Sequence, residues 1–357
     1  MQVQASWSTL NELVPKNLQK AILRQIESLP TDEQLLLRVA SVGGRTFTAA
    51  EVAGVMGRAC EDVEEQYDRL ATQSGLLTIA GIAEEGEEIV AVRYEFCHAL
   101  YPQVLYEQLG QAQRMRLHRQ LGEWKERHYG ERTTEFASEL ALHFTQGREY
   151  GKAVQYHSQA GEVALRRNAY RETMTHCMAG LDLLVRLPDT SERQRQELAL
   201  RMLLSGALTA TRGYAAEELV QNLTCTRELC LVLHDDATLV SVLTNLNRAY
   251  RTRADREAME QVVDEEYRLL GRIQEPRLTL QLHTHLGTSH LFYRGELRQA
   301  QEHYDRVLAL YNRQEHRKLV LRFGLDPAVV AEVFSGASLW LTGWPDQARS
   351  RIKQGVS

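Results

Sequence analysis

A spacing of small residues recurs along this chain and limits what it can build. Leu140, Ala141 and Phe144 precede Gly147, and Ala153, His157 and Ala160 follow it. Leu286 and Gly287 precede Gly295, followed by Ala300, Tyr304 and Val307, with one extra residue between the halves. Gly336 and Leu339 precede Gly343, with Ala348 and Ile352 beyond. Two antiparallel helices approach closely only where Gly or Ala replaces a bulky side chain, and the large residues then fill the adjoining gaps. A chain with this spacing is committed to paired helices that stack on their sequence neighbours.

The order of large and small residues is close to that of tetratricopeptide repeats. The inter-helix turns repeat as well: Gly147 to Ala153, Gly295 to Ala300 and Gly343 to Ala348 each place Gly after one helix and Ala inside the next. Between them, the spacing predicts helices near 169–187, 196–211, 216–233, 238–252 and 256–271 as degenerate members of the same array. Breaks fall at Pro188-Asp189-Thr190 and Gly324-Leu325-Asp326-Pro327.

The first third reads differently. Leu18, Ile22, Leu23 and Ile26 recur at helical spacing, Pro30-Thr31-Asp32 starts a second helix, Thr48 caps a third, and a fourth runs from about Glu61 to Gln73. Two β-rich stretches, 76–82 and 89–96, follow around the acidic turn Glu84-Glu85-Gly86-Glu87-Glu88, a hairpin pattern. Short helices followed by a hairpin describe a winged helix. In that fold the helix before the wing normally enters the major groove and must attract phosphate. Here it carries Glu61, Asp62, Glu64, Glu65 and Asp68 against Arg69, so the expectation is packing and regulation rather than DNA reading.

The 42 Lys and Arg against 47 Asp and Glu give a net charge of −5, which supplies no field favouring nucleic acid or an anionic membrane. Cys60, Cys97, Cys177, Cys225 and Cys230 form no C-x-x-C pair, so neither a disulfide framework nor a zinc knuckle is expected. With no signal peptide and no run of about 18 apolar residues, the expected location is the cytoplasm.

Several stretches, namely Leu13-Val14-Pro15-Lys16-Asn17-Leu18, Val39-Ala40-Ser41-Val42-Gly43, Tyr94 to Leu100, Arg116-Leu117-His118-Arg119, Glu139 to Phe144, Ala210 to Ala215 and Gly343 to Ala348, carry a family likeness. Through them the chain resembles the carboxy-terminal half of bacterial STAND-type signalling ATPases, of the sort fused to class III adenylate or guanylate cyclase domains or to DNA-binding transcriptional regulators. The resemblance implies a mainly α chain: the trailing edge of an ATPase domain or a linker over 1–16, a winged-helix-like domain over 17–110, a connecting helix over 111–133, and a tetratricopeptide-like α-solenoid over 134–357. It further implies ATP or ADP in the full-length parent. The chain has no G-x-x-x-x-G-K-[ST] loop of its own; the nearest string, Gly147 to Ala153, is one residue short and has Ala153 where Ser or Thr is needed. The expectations are therefore no cofactor, no metal and no enzymatic activity in this chain, an ATPase domain acting in cis or trans, and truncation within the last helix before Ser357.

In related ATPases with a winged helix, a histidine just after the wing touches the terminal phosphate of the resting nucleotide, and by resemblance His98 holds that place, flanked by Cys97 and Ala99 instead of the usual Met and Asp. The alternative is a helix-start histidine with a structural role. Arg166, Arg167 and Arg171, and Arg248, Arg251, Arg253 and Arg256, form basic strips able to face a groove and hold an acidic peptide, or else solvated helix faces. His283, His285 and His290 share one helix without the i, i+4 spacing of a metal pair, and packing is the expected role. His316, Arg317, Arg322 and Asp326 lie in a long connection that serves either as a ligand loop or as a simple join. The leading function is a regulatory, protein-binding sensor; the rivals are a free-standing adaptor, part of a cyclase and a transcriptional regulator.

Overall fold

The computed structural model describes residues 16–84, 90–316 and 326–356. Nearly all of the segment expected to trail an ATPase domain lies outside the described residues, as do Glu85 to Glu88 of the acidic turn and Arg317 and Arg322 of the long connection. The chain divides into two compact units, Met1–Pro188 and Asp189–Ser357, so the boundary falls at the Pro188-Asp189 break and inside the expected repeat region.

Unit 1 begins with α1 (Lys16–Glu27), α2 (Thr31–Gly43), β1 (Thr46–Thr48), α3 (Ala49–Met56), α4 (Cys60–Gln73), β2 (Leu77–Glu84) and β3 (Val90–Phe96). Thr48 closes a capping box: its side chain accepts from the Glu51 amide, and Glu51 reaches back to the Thr48 amide. The expected hairpin is present, and it gains a strand that no periodicity could reveal, since β1 has three residues; the sheet order is β1-β3-β2, all antiparallel. A register shift between Ile79 and Gly81 is absorbed by Gly81 at φ +125°. Phe47, Tyr67, Tyr94 and Phe96 pack ring against ring beneath it, and the Tyr67 hydroxyl donates to the Leu36 carbonyl at 3.0 Å. On α4, Val63, Tyr67 and Leu70 are buried, while Glu61, Asp62, Glu65 and Asp68 are exposed. The acidic face is thus the solvent face.

Next come α5 (Leu100–Gln108), α6 (Gln111–Tyr129), a 3₁₀ turn (Gly130–Phe136), α7 (Ala137–Gln146), α8 (Tyr150–Arg166) and α9 (Tyr170–Leu184). Beyond connecting, α6 packs on α3, α2 and α7. A Cβ on Gly54 would lie 2.0 Å from the Trp124 indole nitrogen, so Gly54 is what lets α3 meet α6. Beside that crossing, Lys125, with only 3% of its side chain exposed, is paired with Glu51 and, at 2.9 Å, with Glu139. Burial opposes the Lys125 charge, but the two carboxylates overcome it and raise its pKa. The same burial opposes ionisation of Glu139, yet Lys125 and His143 hold its carboxyl down at about 2.

Unit 2 contains α10 (Ser191–Arg212), α11 (Glu217–Leu233), α12 (Asp236–Thr252), α13 (Arg256–Leu270), α14 (Pro276–Ser289), a π-helical turn (His290–Arg294), α15 (Leu297–Leu310), α16 (Arg313–His316), α17 (Pro327–Leu341) and α18 (Pro345–Val356). The largest difference from the expected boundaries is α10, which starts at Ser191 because the Thr190 side chain caps the Arg193 amide. Asp235, Asp255 and Asp326 cap α12, α13 and α17 in the same way.

One turn geometry recurs. The amides of Glu149, Ala169, Asp235, Asp255 and Trp344 each donate to the carbonyl five residues back, and the residue just before each has positive φ: Arg148, Asn168, His234, Ala254 and Gly343. At α7–α8 Gly147 follows the helix as the sequence indicates but is right-handed, and Arg148 takes the left-handed place. Gly147 serves close approach instead, its Cβ direction lying 3.0 Å from the Arg119 backbone. In the turn after α14, the Glu296 amide reaches six residues back, to His290, because the π-helical turn inserts the extra residue seen in the sequence. The small-against-large pairs are as the spacing requires: Gly287 faces Tyr304 at 2.7 Å and Gly336 faces Ile352 at 2.5 Å from their would-be Cβ atoms. These are tetratricopeptide-like helix pairs, and among the described residues no helix is long and apolar enough to cross a membrane.

Candidate functional site

Helix α12 presents two kinds of surface. Leu239, Val240, Val242, Leu243, Leu246 and Ala249 are buried and fix its rotation, which leaves Arg248 half-buried and Arg251 at the surface one turn on. The Arg248 guanidinium lies 6.0 Å over the Tyr214 ring and donates to the Tyr214 hydroxyl at 3.4 Å. Burial, and then the neighbouring Arg248 charge, lower the Arg251 pKa. Neither arginine has a carboxylate within ion-pair distance among the described residues. Other arginines of the unit do: Arg253 meets Glu217 at 2.7 Å, Arg227 meets Glu265 at 2.6 Å and Arg201 meets Glu197 at 2.8 Å.

Between α12 and α14 runs a polar strip. The Thr244 hydroxyl contacts His285 Nδ1 at 2.7 Å and accepts from the Gln281 amide at 3.4 Å, and Asn247 donates to the Ser289 hydroxyl at 3.1 Å. Burial, then the Arg248 charge, push the His285 pKa down to about 3, so its ring is neutral at physiological pH. Beneath it, the Glu266 side chain is fully enclosed 3.7 Å from His285 Nδ1, and neither carboxyl oxygen has a hydrogen-bond partner. Burial, with Glu265 adding to it, pushes the Glu266 pKa up to about 8. The consequence is electrostatic: Glu266 is protonated at neutral pH and supplies no negative charge beside this strip. Two adjacent cations with no counter-charge favour an anionic group.

The structure sorts the remaining candidates. Arg166 meets Glu162 at 3.4 Å and Arg167 meets Glu172 at 3.8 Å, while Arg171 is exposed on α9; all three belong to unit 1, apart from Arg248 and Arg251. Arg256 is exposed at the start of α13. His98 is exposed after β3, its Nδ1 accepting from the Leu100 amide at 3.2 Å and its ring edge-on to Tyr101. His283 contacts His303 Nδ1 to Nδ1 at 2.8 Å, and His290 Nδ1 lies 2.6 Å from Glu296, an acidic partner the sequence did not suggest. Among the described residues no three His, Cys, Asp or Glu side chains are grouped to hold a metal. Asp326 caps α17 and accepts from the Tyr311 hydroxyl at 2.7 Å. Sequence reading missed Glu266 and His303, since nothing in a helical pattern distinguishes an enclosed carboxylate from a solvated one.

No family model matches the sequence, and no curated protein matches it. Among solved structures, the chain is similar to BtubC (BKLC) from P. vanneervenii at 16% identity and TM-score 0.48, over 63% of this chain and 86% of that one. It is also similar to a Signal Transduction ATPase with Numerous Domains (STAND) protein with a tetratricopeptide repeat sensor from Pyrococcus horikoshii, at 10% identity and TM-score 0.41, over 99% of this chain and 65% of that one. A third similarity is to a Rap protein complexed with Competence and Sporulation Factor, at 12% identity and TM-score 0.37, over 98% and 94% of the two chains. The helix-pair architecture rests on the packing described above.

Proposed function

We propose that this chain is a regulatory, protein-binding module whose unit 2 takes an acidic peptide segment of a partner on α12. The observation that carries the reading is the pair Arg248 and Arg251, one half-buried and one exposed, adjacent and without a carboxylate within ion-pair distance among the described residues. The strip of Thr244, Gln281 and His285 beside it is largely buried and hydrogen-bonded within itself, so it holds α12 against α14 and leaves the two guanidinium groups to meet the partner. The α1–α4 and β1–β3 part of unit 1 is read as a winged helix, supported by the element order, and the outward acidic face of α4 disfavours nucleic acid as its partner. In this reading the module is coupled to an ATPase domain in cis or trans. His98, exposed at the start of α5, is then the residue available to meet a nucleotide phosphate of that domain.

The test is a titration of the full chain with a labelled oligoglutamate peptide, repeated across salt concentrations. Saturable binding that weakens with salt is expected, and Arg248→Glu together with Arg251→Glu should weaken it by at least tenfold, since charge-assisted hydrogen bonds contribute about 1.5–3 kcal/mol each. Binding unaltered by the double variant would remove α12 as the site.

A further inference from the structure

A second cationic surface lies within unit 1, independent of α12. The end of α5, the start of α6, the α7–α8 turn and the end of α9 line an open cleft of about 680 Å³. That is within the range of small-molecule sites and several times the size of a bare inorganic anion. Its charged lining is Arg114, Arg148 and Arg186, and none of its eleven lining residues is acidic. Two of the carboxylates that adjoin its lining in sequence make contacts of their own. Glu107 accepts from the amides of Gln19 at 3.5 Å and Gln103 at 3.4 Å, and Glu149 pairs with Arg119 at 3.2 Å. None of the three arginines has an ion-pair partner among the described residues.

One wall is held firmly in place. Arg114 donates through Nη2 to the Glu107 carbonyl at 2.9 Å, and its guanidinium lies 4.6 Å over the Tyr106 ring. Its Nε is buried with no acceptor. Tyr106 is anchored in turn, its hydroxyl 2.9 Å from His118 Nε2, and His118 Nδ1 is 2.9 Å from His143 Nδ1. Arg148 and Arg186 line the cleft from the α7–α8 turn and the end of α9 and are exposed, so both are able to close on a ligand. Tyr150 and Leu183 add aromatic and aliphatic surface to the same cleft.

We propose that this cleft binds a small organic phosphate of two or three negative charges, its phosphates on Arg114, Arg148 and Arg186 and its planar part on Tyr150 and Leu183. Guanidinium groups engage phosphate oxygens two at a time, and a guanidinium already stacked on a ring loses less freedom in doing so. Three such groups lining one open space, with no acid among the lining residues, match a polyphosphate head better than a single carboxylate. The volume left beyond that head accommodates a ring system. Occupancy would tie the end of α9 and the α7–α8 turn to α5 and α6; α5, α6 and α7 are already joined through Tyr106, His118 and His143.

The test is calorimetric titration of the full chain with inorganic pyrophosphate and with uridine diphosphate, against sulfate at matched ionic strength. Both phosphates should bind, uridine diphosphate more tightly, and sulfate should not saturate. Arg148→Gln and Arg186→Gln, both at exposed positions and checked for unchanged circular dichroism, should each weaken binding about tenfold. The Arg248→Glu, Arg251→Glu chain should bind as the parent does, which separates this site from the peptide surface. Phosphate binding no stronger than that of sulfate, or binding that survives removal of both Arg148 and Arg186, would overturn the proposal.

Discussion

The two units bury charge in opposite ways. In unit 1, Lys125 is enclosed between Glu51 and Glu139, so every charge at the α3–α6–α7 contact has a partner. In unit 2, Glu266 is enclosed with neither oxygen hydrogen-bonded and with only a neutral-range histidine 3.7 Å away. Removing two charges from water is repaid when they meet with good geometry, whereas a lone carboxylate is neutralised by protonation instead. The difference teaches that the first arrangement fixes how three helices sit, and the second leaves a titratable group under the surface that presents Arg248.

The largest effect is expected from breaking the complete network. Lys125→Ala leaves two carboxylates facing each other in the interior and should destabilise unit 1 by about 3–5 kcal/mol. Amide hydrogen exchange of the intact chain would show this as lost protection in α3, α6 and α7, with unit 2 amides unchanged; equal loss in both units would mean that they unfold together.

The counterpart variant should act in the other direction. Because the folded pKa of Glu266 is raised, to about 8, from an ordinary value of 4.5, the stability it contributes is fully present below pH 4.5 and is lost as pH rises through 8. Glu266→Gln removes that slope, and unit 2 should gain about 4 kcal/mol at pH 8 and nothing near pH 4.5. Thermal melts of parent and variant across this range check it, and parallel pH profiles would sink the account of Glu266 as a protonated, enclosed acid.

The smallest effect concerns the histidine pairs. His157 contacts His176 Nδ1 to Nδ1 at 3.1 Å, and burial, then His176, depress its pKa to about 4. With a folded pKa below the unfolded one, its contribution is present above about pH 6.5 and lost as pH falls toward 4. His157→Gln should therefore flatten the acid limb of unit 1 by about 1–2 kcal/mol while leaving stability at pH 8 little changed. A melt that stays as acid-sensitive as the parent would assign that limb to other groups, the His118–His143 contact first.

Much of this architecture was legible beforehand because helix pairing depends on residue size at fixed spacing. Gly287 opposite Tyr304 and Gly336 opposite Ile352 are local facts of volume, and they appear in the sequence as a small residue, a turn and a large residue. The Thr48 cap was readable for the same reason, a side chain answering its own helix. Strand β1 was not, since three residues carry no period and it forms only because β3 offers its free edge. The arginines divided likewise: the sequence marks Arg166, Arg167, Arg248 and Arg251 as equals, and only the fold gives the first two carboxylates and withholds them from the others.

By itself, then, the sequence determined that this chain forms neighbour-stacked helix pairs after a small helical part bearing a hairpin, because packing size, capping and turn preference act over a few residues. The tertiary structure alone decided which charges are paired, which carboxylate is enclosed, and that Arg114, Arg148 and Arg186 line one cleft. Those outcomes depend on distances between residues far apart in the chain, and electrostatic energy is set by such distances and by how much water lies between the charges.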